Sequence, residues 1–279
     1  MNAAVTGVFA FAFGACIGSF LNVCISRWPA GMSVVSPPSR CPNCERAIRA
    51  YENVPILGWL GLRGRCAGCA EPISPQYPLV ELLIALVWLS SAVVFGPTLL
   101  TVRVAMFITI MVGIAITDAK HYVIPDGFTI SGLIWVMATA FAGAFTHTDS
   151  AFAAPYDAVM GALAGAGAIA IAGWLGEAVL KREAMGFGDV TLMAVVGAAL
   201  GPQRALLTIF IGAALGVVVF LGFVIPIARM QGRGRTEGDS DVPALPLVPF
   251  GVFLAPAAIL SLFYGNSLIH WYVTRFITS

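Results

Sequence analysis

Six residues of this 279-residue chain have the type and spacing to do chemistry. Four are cysteines in two C-x-x-C pairs, C-P-N-C (Cys41, Cys44) and C-A-G-C (Cys66, Cys69), with 21 residues between the pairs. Thiolates two residues apart grip one metal from a tight turn. Two such turns complete a tetrahedral shell of four sulfurs, for which zinc is the usual occupant. A closed shell leaves no position for water, so this zinc is structural rather than catalytic. The rival reading is a pair of redox C-x-x-C sites or a disulfide cluster. Cys16 and Cys24 lie in an apolar run and read as small packing residues.

The other two are aspartates. Asp118 closes an apolar run in A-I-T-D-A-K-H, and Asp189 opens another in M-G-F-G-D-V-T-L-M. Ionisable groups at membrane depth are costly and therefore functional candidates. Two carboxylates sharing a site do not both ionise cheaply: one holds a proton while the other stays basic. Such a pair can deprotonate a water for attack on a peptide carbonyl and protonate the leaving amine. Gly186 and Gly188 remove side chains just before Asp189, which lets an extended peptide approach the backbone. A proton relay or ion site in a transporter uses the same two residue types, and this reading stays open.

The remaining ionisable residues have simpler explanations. Arg103 is expected to snorkel to the outer interface. Asp157 suits a helix N-terminus, and Glu177 is placed to pair with Lys181 or Arg182. Pro125 and Asp126 read as a helix stop and turn, with Asp126 an accessory residue at most. Glu81 is either a functional residue or a structural partner of a nearby arginine.

The elements that must position these residues are set by composition. The chain is 59% hydrophobic and only 10% charged, whereas soluble domains run near a quarter charged. Secreted, disordered and coiled-coil chains are excluded, and a net charge of +1 argues against nucleic acid as a partner. Eight apolar segments are legible, approximately at 3–25, 79–95, 98–117, 128–146, 156–180, a short 190–200, 205–228 and 247–264. The first has no basic flank before it and is long enough to span, so it reads as a helix rather than a cleaved signal. All but three of the 15 basic residues fall in alternate loops. By the positive-inside rule the N-terminus is outside and those loops are cytoplasmic. That compartment is reducing, which disfavours disulfides.

The expected fold is an all-α polytopic membrane protein of about eight transmembrane helices. Residues 1–25 form the first helix, 26–78 a small cytoplasmic zinc-binding module, and 79–279 a seven-helix membrane domain. The polar, Gly- and Pro-rich loop from Arg229 to Pro246 reads as a mobile connection. No internal repeat is visible. Small residues between Gly161 and Gly173 suit close helix packing in lipid.

Several motifs resemble those of bacterial type IV prepilin peptidases, in the family's order. They are G-S-F-L-N-V with Arg27 and Pro29, S-R-C-P-N-C, E-N-V-P-I-L-G-W-L, L-R-G-R-C-A-G-C, I-S-P-Q-Y-P-L-V-E-L, D-A-K-H-Y-V-I-P-D, M-G-F-G-D-V-T-L and P-L-V-P-F-G. The resemblance runs from about Gly14 to Gly251. It implies an aspartic endopeptidase of the bacterial inner membrane that removes the basic leader from type IV prepilins or secretion pseudopilins. Cleavage would fall after a glycine on the cytoplasmic side. By motif position Asp118 and Asp189 are the catalytic pair, and Cys41, Cys44, Cys66 and Cys69 the zinc ligands. Many members also methylate the new N-terminus with S-adenosylmethionine. No soluble-type nucleotide fingerprint marks a site for it here. Other classes that use the same residues are a proton-coupled transporter, a membrane thiol oxidoreductase and a presenilin-type peptidase. The aspartate spacing and the cysteine loop argue against the last.

Overall fold

The computed structural model describes residues 3–146, 151–181, 185–230 and 249–278. The described residues are almost entirely helical, with two isolated bridges and no strands. The helices are α1 Ala3–Arg27, α2 Leu57–Gly61, α3 Gln76–Phe95, α4 Leu99–His121, α5 Asp126–Thr146, α6 Pro155–Leu180, α7 Phe187–Leu200, α8 Pro202–Val219, α9 Ile225–Met230 and α10 Gly251–Phe276. A π-helical turn, Phe220–Val224, joins α8 to α9. Seven helices are long and apolar enough to cross a membrane, and α7 is a shorter apolar eighth. The chain is a multi-pass membrane protein with its four-cysteine cluster between the first two long helices.

Contacts divide it into two compact units, Met1–Thr117 with Pro125–Ser150, and Asp118–Ile124 with Ala151–Ser279. In the first, α1 and α3 run antiparallel with their backbones close. A Cβ on Gly14 would sit 2.7 Å from Trp88 Cβ, and one on Gly18 would sit 2.7 Å from the Cα of Glu81. One turn further along α1, Asn22 Nδ2 donates to Tyr77 O at 3.1 Å. Trp88 Nε1 donates to Thr109 Oγ1 at 3.3 Å and ties α3 to α4.

In the second unit α6 and α7 meet at glycines. A Cβ on Gly161 would collide with the Gly197 carbonyl, and one on Gly197 with the Gly161 carbonyl, so only glycine fits this crossing. Every residue of α7 from Val195 to Leu200 is buried. Arg204 is also buried, and donates through Nε to Leu200 O at 2.7 Å and through Nη1 to Ala151 O at 2.5 Å. The first bond satisfies a carbonyl at the end of α7 that the helix itself leaves open.

Several expectations need correction or placing. Arg103 does not snorkel: it is 3% exposed, and its Nη1 lies beneath Gly143, where a Cβ would come within 3.2 Å. It stands on the inward face of α4, so its stem has no path to the interface. Asp126 is not a free turn residue but the first residue of α5, where a carboxylate meets the positive end of the helix dipole. The last helix is longer than its apolar stretch, continuing through Asn266 and His270 to Phe276. Most of the 229–246 connection, and the Arg182 proposed to pair with Glu177, lie outside the described residues. Asp157 does fall in the first turn of α6. Of the two α1 cysteines, Cys24 is buried and Cys16 exposed.

Candidate active site and metal centre

The cysteine cluster is built from one turn used twice. Cys41 N–H donates to Arg46 O, Glu45 N–H to Cys41 O and Ile48 N–H to Ser39 O, at 3.0, 2.9 and 2.9 Å. The second half repeats these bonds: Cys66 N–H to Glu71 O, Ala70 N–H to Cys66 O and Ile73 N–H to Gly64 O, at 2.8, 2.9 and 2.7 Å. Glu45 and Ala70 take the same left-handed conformation, φ 54° and 59°. The shared pattern is R-C-x-x-C-x-x-x-I, too sparse to show as a repeat in the sequence.

The two turns face each other. Cys41 and Cys69 sulfurs are 3.8 Å apart, Cys44 and Cys66 sulfurs 4.0 Å, and all four lie within 4.8 Å of one another. Sulfurs about 2.3 Å from a tetrahedral zinc stand about 3.8 Å apart, so the cluster fits that ion. Backbone N–H groups of Cys69 and Gly68 draw the Cys66 thiol down to about 6, toward the thiolate a metal needs. Beside the cluster, Arg46 and Glu52 form an ion pair at 2.6 Å, and Glu52 also accepts Arg49 N–H at 3.1 Å. The guanidinium first, then that N–H, hold the Glu52 carboxyl below the ordinary range.

The two aspartates come together in the second unit. Asp118 is in the last turn of α4 and Asp189 in the first turn of α7; both are buried, at 5% and 9% exposure. They lie within electrostatic reach of each other. Val252 N–H, at the start of α10, donates to Asp118 Oδ2 at 3.1 Å. Asp189 N–H donates to Gly186 O at 3.1 Å, closing the entry of α7. Among the described residues no cation forms an ion pair with either carboxylate.

Ile124 separates the chain segments around the pair. A Cβ on Gly188 would lie 2.9 Å from Ile124 Cβ, and one on Gly251 would lie 2.9 Å from Ile124 Cδ1 and 2.8 Å from Asp118 Oδ2. At Gly186 a Cβ would make only an ordinary contact, 3.8 Å from Asp189 Oδ2. The space at Gly188 is thus taken by Ile124. Gly251, Val252 and Ile124 are the neighbours that residue-type reasoning passed over. The only sequence signal of Gly251 and Ile124 is membership of P-L-V-P-F-G and D-A-K-H-Y-V-I-P-D, and Val252 directly follows the first of these.

Asp126 and Glu81 belong to the first unit. Glu81 is 7% exposed and accepts Ile56 N–H at 2.6 Å. Its partner is therefore a backbone amide, not an arginine.

Comparison with known proteins finds two matched regions. Residues 12–95 match the Bacterial Peptidase A24 N-terminal domain, and residues 105–221 match the Type IV leader peptidase family. The chain is 41% identical over 238 residues to a prepilin leader peptidase/N-methyltransferase of Myxococcus xanthus, covering 85% of this chain and 68% of that one. It is 32% identical to the Aeromonas hydrophila protein of the same name, covering 96% and 93%. It is also 34% identical to a type 4 prepilin-like proteins leader peptide-processing enzyme of Escherichia coli, covering 92% and 93%. No solved structure matches. With its cysteine module inside one matched region and both aspartates inside the other, the chain belongs to the type IV leader peptidase family.

Proposed function

We propose that the chain is an aspartic endopeptidase that removes the leader of type IV prepilins or pseudopilins, after a glycine, at the cytoplasmic face of the bacterial inner membrane. The observation that carries this reading is the burial of Asp118 and Asp189 in one unit, within reach of each other and, among the described residues, without a paired cation. Two such carboxylates are held most cheaply as one acid and one base. The basic member takes a proton from water, whose oxygen attacks the glycyl carbonyl carbon. The acid donates its proton to the carbonyl oxygen, and as the C–N bond breaks a proton passes to the leaving amine. Val252 N–H fixes the orientation of Asp118 while this happens.

The cytoplasmic location is supported by the cation bias of the loops, and the glycine by the family resemblance. The four sulfurs would hold a structural zinc. The relatives' names also include N-methyltransferase, so methylation of the new N-terminus with S-adenosylmethionine is the proposed second activity. The test is direct: purified protein in vesicles is given a prepilin, and the product is mass-measured. A cut anywhere but after the leader's glycine, or no cut, overturns the reading.

Gly251 gives a sharper check. In Gly251→Val the new side chain must displace Asp118 Oδ2 or Ile124. A misplacement of about 1 Å costs on the order of 100-fold in rate. Cleavage should fall by about that factor while the zinc content stays unchanged. A wild-type rate would show that the Asp118 position is not critical.

A further inference from the structure

The first unit holds a second buried acid that the proteolytic site does not use. Glu81 enters the α1–α3 contact one turn from Tyr77, the residue whose carbonyl accepts from Asn22. Across from it on α1, Gly18 brings the backbones together at Glu81, and Asn22 follows one turn later. Asn22 is 3% exposed, and its Oδ1 is a buried acceptor with no hydrogen-bond partner. Glu81 accepts only Ile56 N–H, and among the described residues no cation pairs with it.

Burying the Asn22 oxygen without a donor is costly, and so is burying the Glu81 carboxylate without a counter-charge. The surrounding backbone is also strained. Ile56 has φ 63° and ψ −53°, a positive-φ turn conformation that a β-branched residue avoids, and its N–H is held there by Glu81. A carboxylate and an amide oxygen that lack a cation define what is missing: a compact positive group with donor or electrostatic reach to both.

We infer that Glu81 and Asn22 form a receptor for an onium head group. Two ligands of the proposed function carry one, so this inference rests on that reading. One is the α-ammonium of the newly exposed pilin N-terminus. The other is the sulfonium of S-adenosylmethionine. Glu81 supplies the counter-charge, and Asn22 Oδ1 supplies the neutral acceptor.

The experiment uses full-length, zinc-loaded protein in nanodiscs. Affinity is measured for a mature pilin N-terminal peptide, free or N-acetylated, and for S-adenosylmethionine against S-adenosylhomocysteine, which lacks the positive sulfur. Wild-type protein should prefer the cationic member of one pair by about ten-fold or more. Glu81→Gln keeps an oxygen for Ile56 N–H but removes the charge, so it should erase that preference. Asn22→Leu should weaken it.

Loss on the peptide pair identifies the ammonium as the ligand, and loss on the nucleoside pair identifies the sulfonium. Zinc content and thermal melting confirm that the variants are folded. Preferences that survive both substitutions, or that are absent from wild type, overturn the receptor. Wild-type cleavage of a prepilin is measured separately. Its absence would sink the peptidase reading while leaving the binding result to stand by itself.

Discussion

Asp118→Asn and Asp189→Asn are each expected to reduce leader cleavage by roughly 10⁴-fold, with no change in folding. The size follows from how the pair works. Among the described residues neither carboxylate pairs with a cation, so in the proposed reaction each would depend on the other to be acid or base. Removing one leaves its neighbour without a proton partner, and the two single variants should be similarly inactive. Asparagine preserves shape, and its amide oxygen can still accept Val252 N–H, so the α4–α10 contact survives. Single-turnover cleavage of a prepilin in vesicles measures the loss, and thermal melting verifies the fold. Cleavage at the wild-type rate by either variant removes that residue from the reaction. If the pair instead serves a transporter, wild-type vesicles would accumulate solute and process no pilin.

Removing zinc should have the second large effect, on the cytoplasmic module. The two knuckles are small, and much of their surroundings is exposed, including Tyr51, Leu57 and Leu60. Apolar burial therefore supplies little of their stability. Structural zinc contributes about 10–16 kcal/mol in small domains, which exceeds what such a loop gains from packing. Purified protein is expected to hold about one zinc per chain. Chelation, or Cys41→Ser, should release the ion and open the stretch between Arg40 and Ile73 to protease nicking. The helices should stay intact, with residual leader cleavage. A redox role for the C-x-x-C pairs predicts the reverse: activity lost outright, with the module still protease-resistant. Metal analysis with limited proteolysis separates the two.

What could be read in the sequence was what depends on local chemistry. Apolar runs located every long helix, because burial in lipid demands them. Cys41, Cys44, Cys66 and Cys69 were legible because metal geometry demands short spacing. Asp118 and Asp189 stood out because charge is rare in such runs. What could not be read depends on neighbours. Nothing local distinguishes an Arg103 that snorkels from one turned beneath Gly143. The extension of α10 past Tyr264 was missed because Asn266 and His270 interrupt hydropathy without interrupting helix formation. Gly251 and Ile124 carry no chemistry of their own, so only their contact with Asp118 and Gly188 marks them. The duplicated knuckle was hidden because backbone hydrogen bonds, not side chains, define it.

The glycine crossing of α6 and α7 bears on how steadily the site is held. Most helix contacts are made by side chains, which give up rotamer freedom on packing and regain some of it as they fluctuate. At Gly161 and Gly197 there are no rotamers to lose or to regain, since backbone rests on backbone. Assembly there costs no side-chain entropy, and thermal repacking has nothing to work on. The helix that carries Asp189 is thus anchored at a crossing with no side chains to repack. For the proposed reaction, in which the two carboxylates would pass protons through one water, positional noise is the quantity this crossing keeps small.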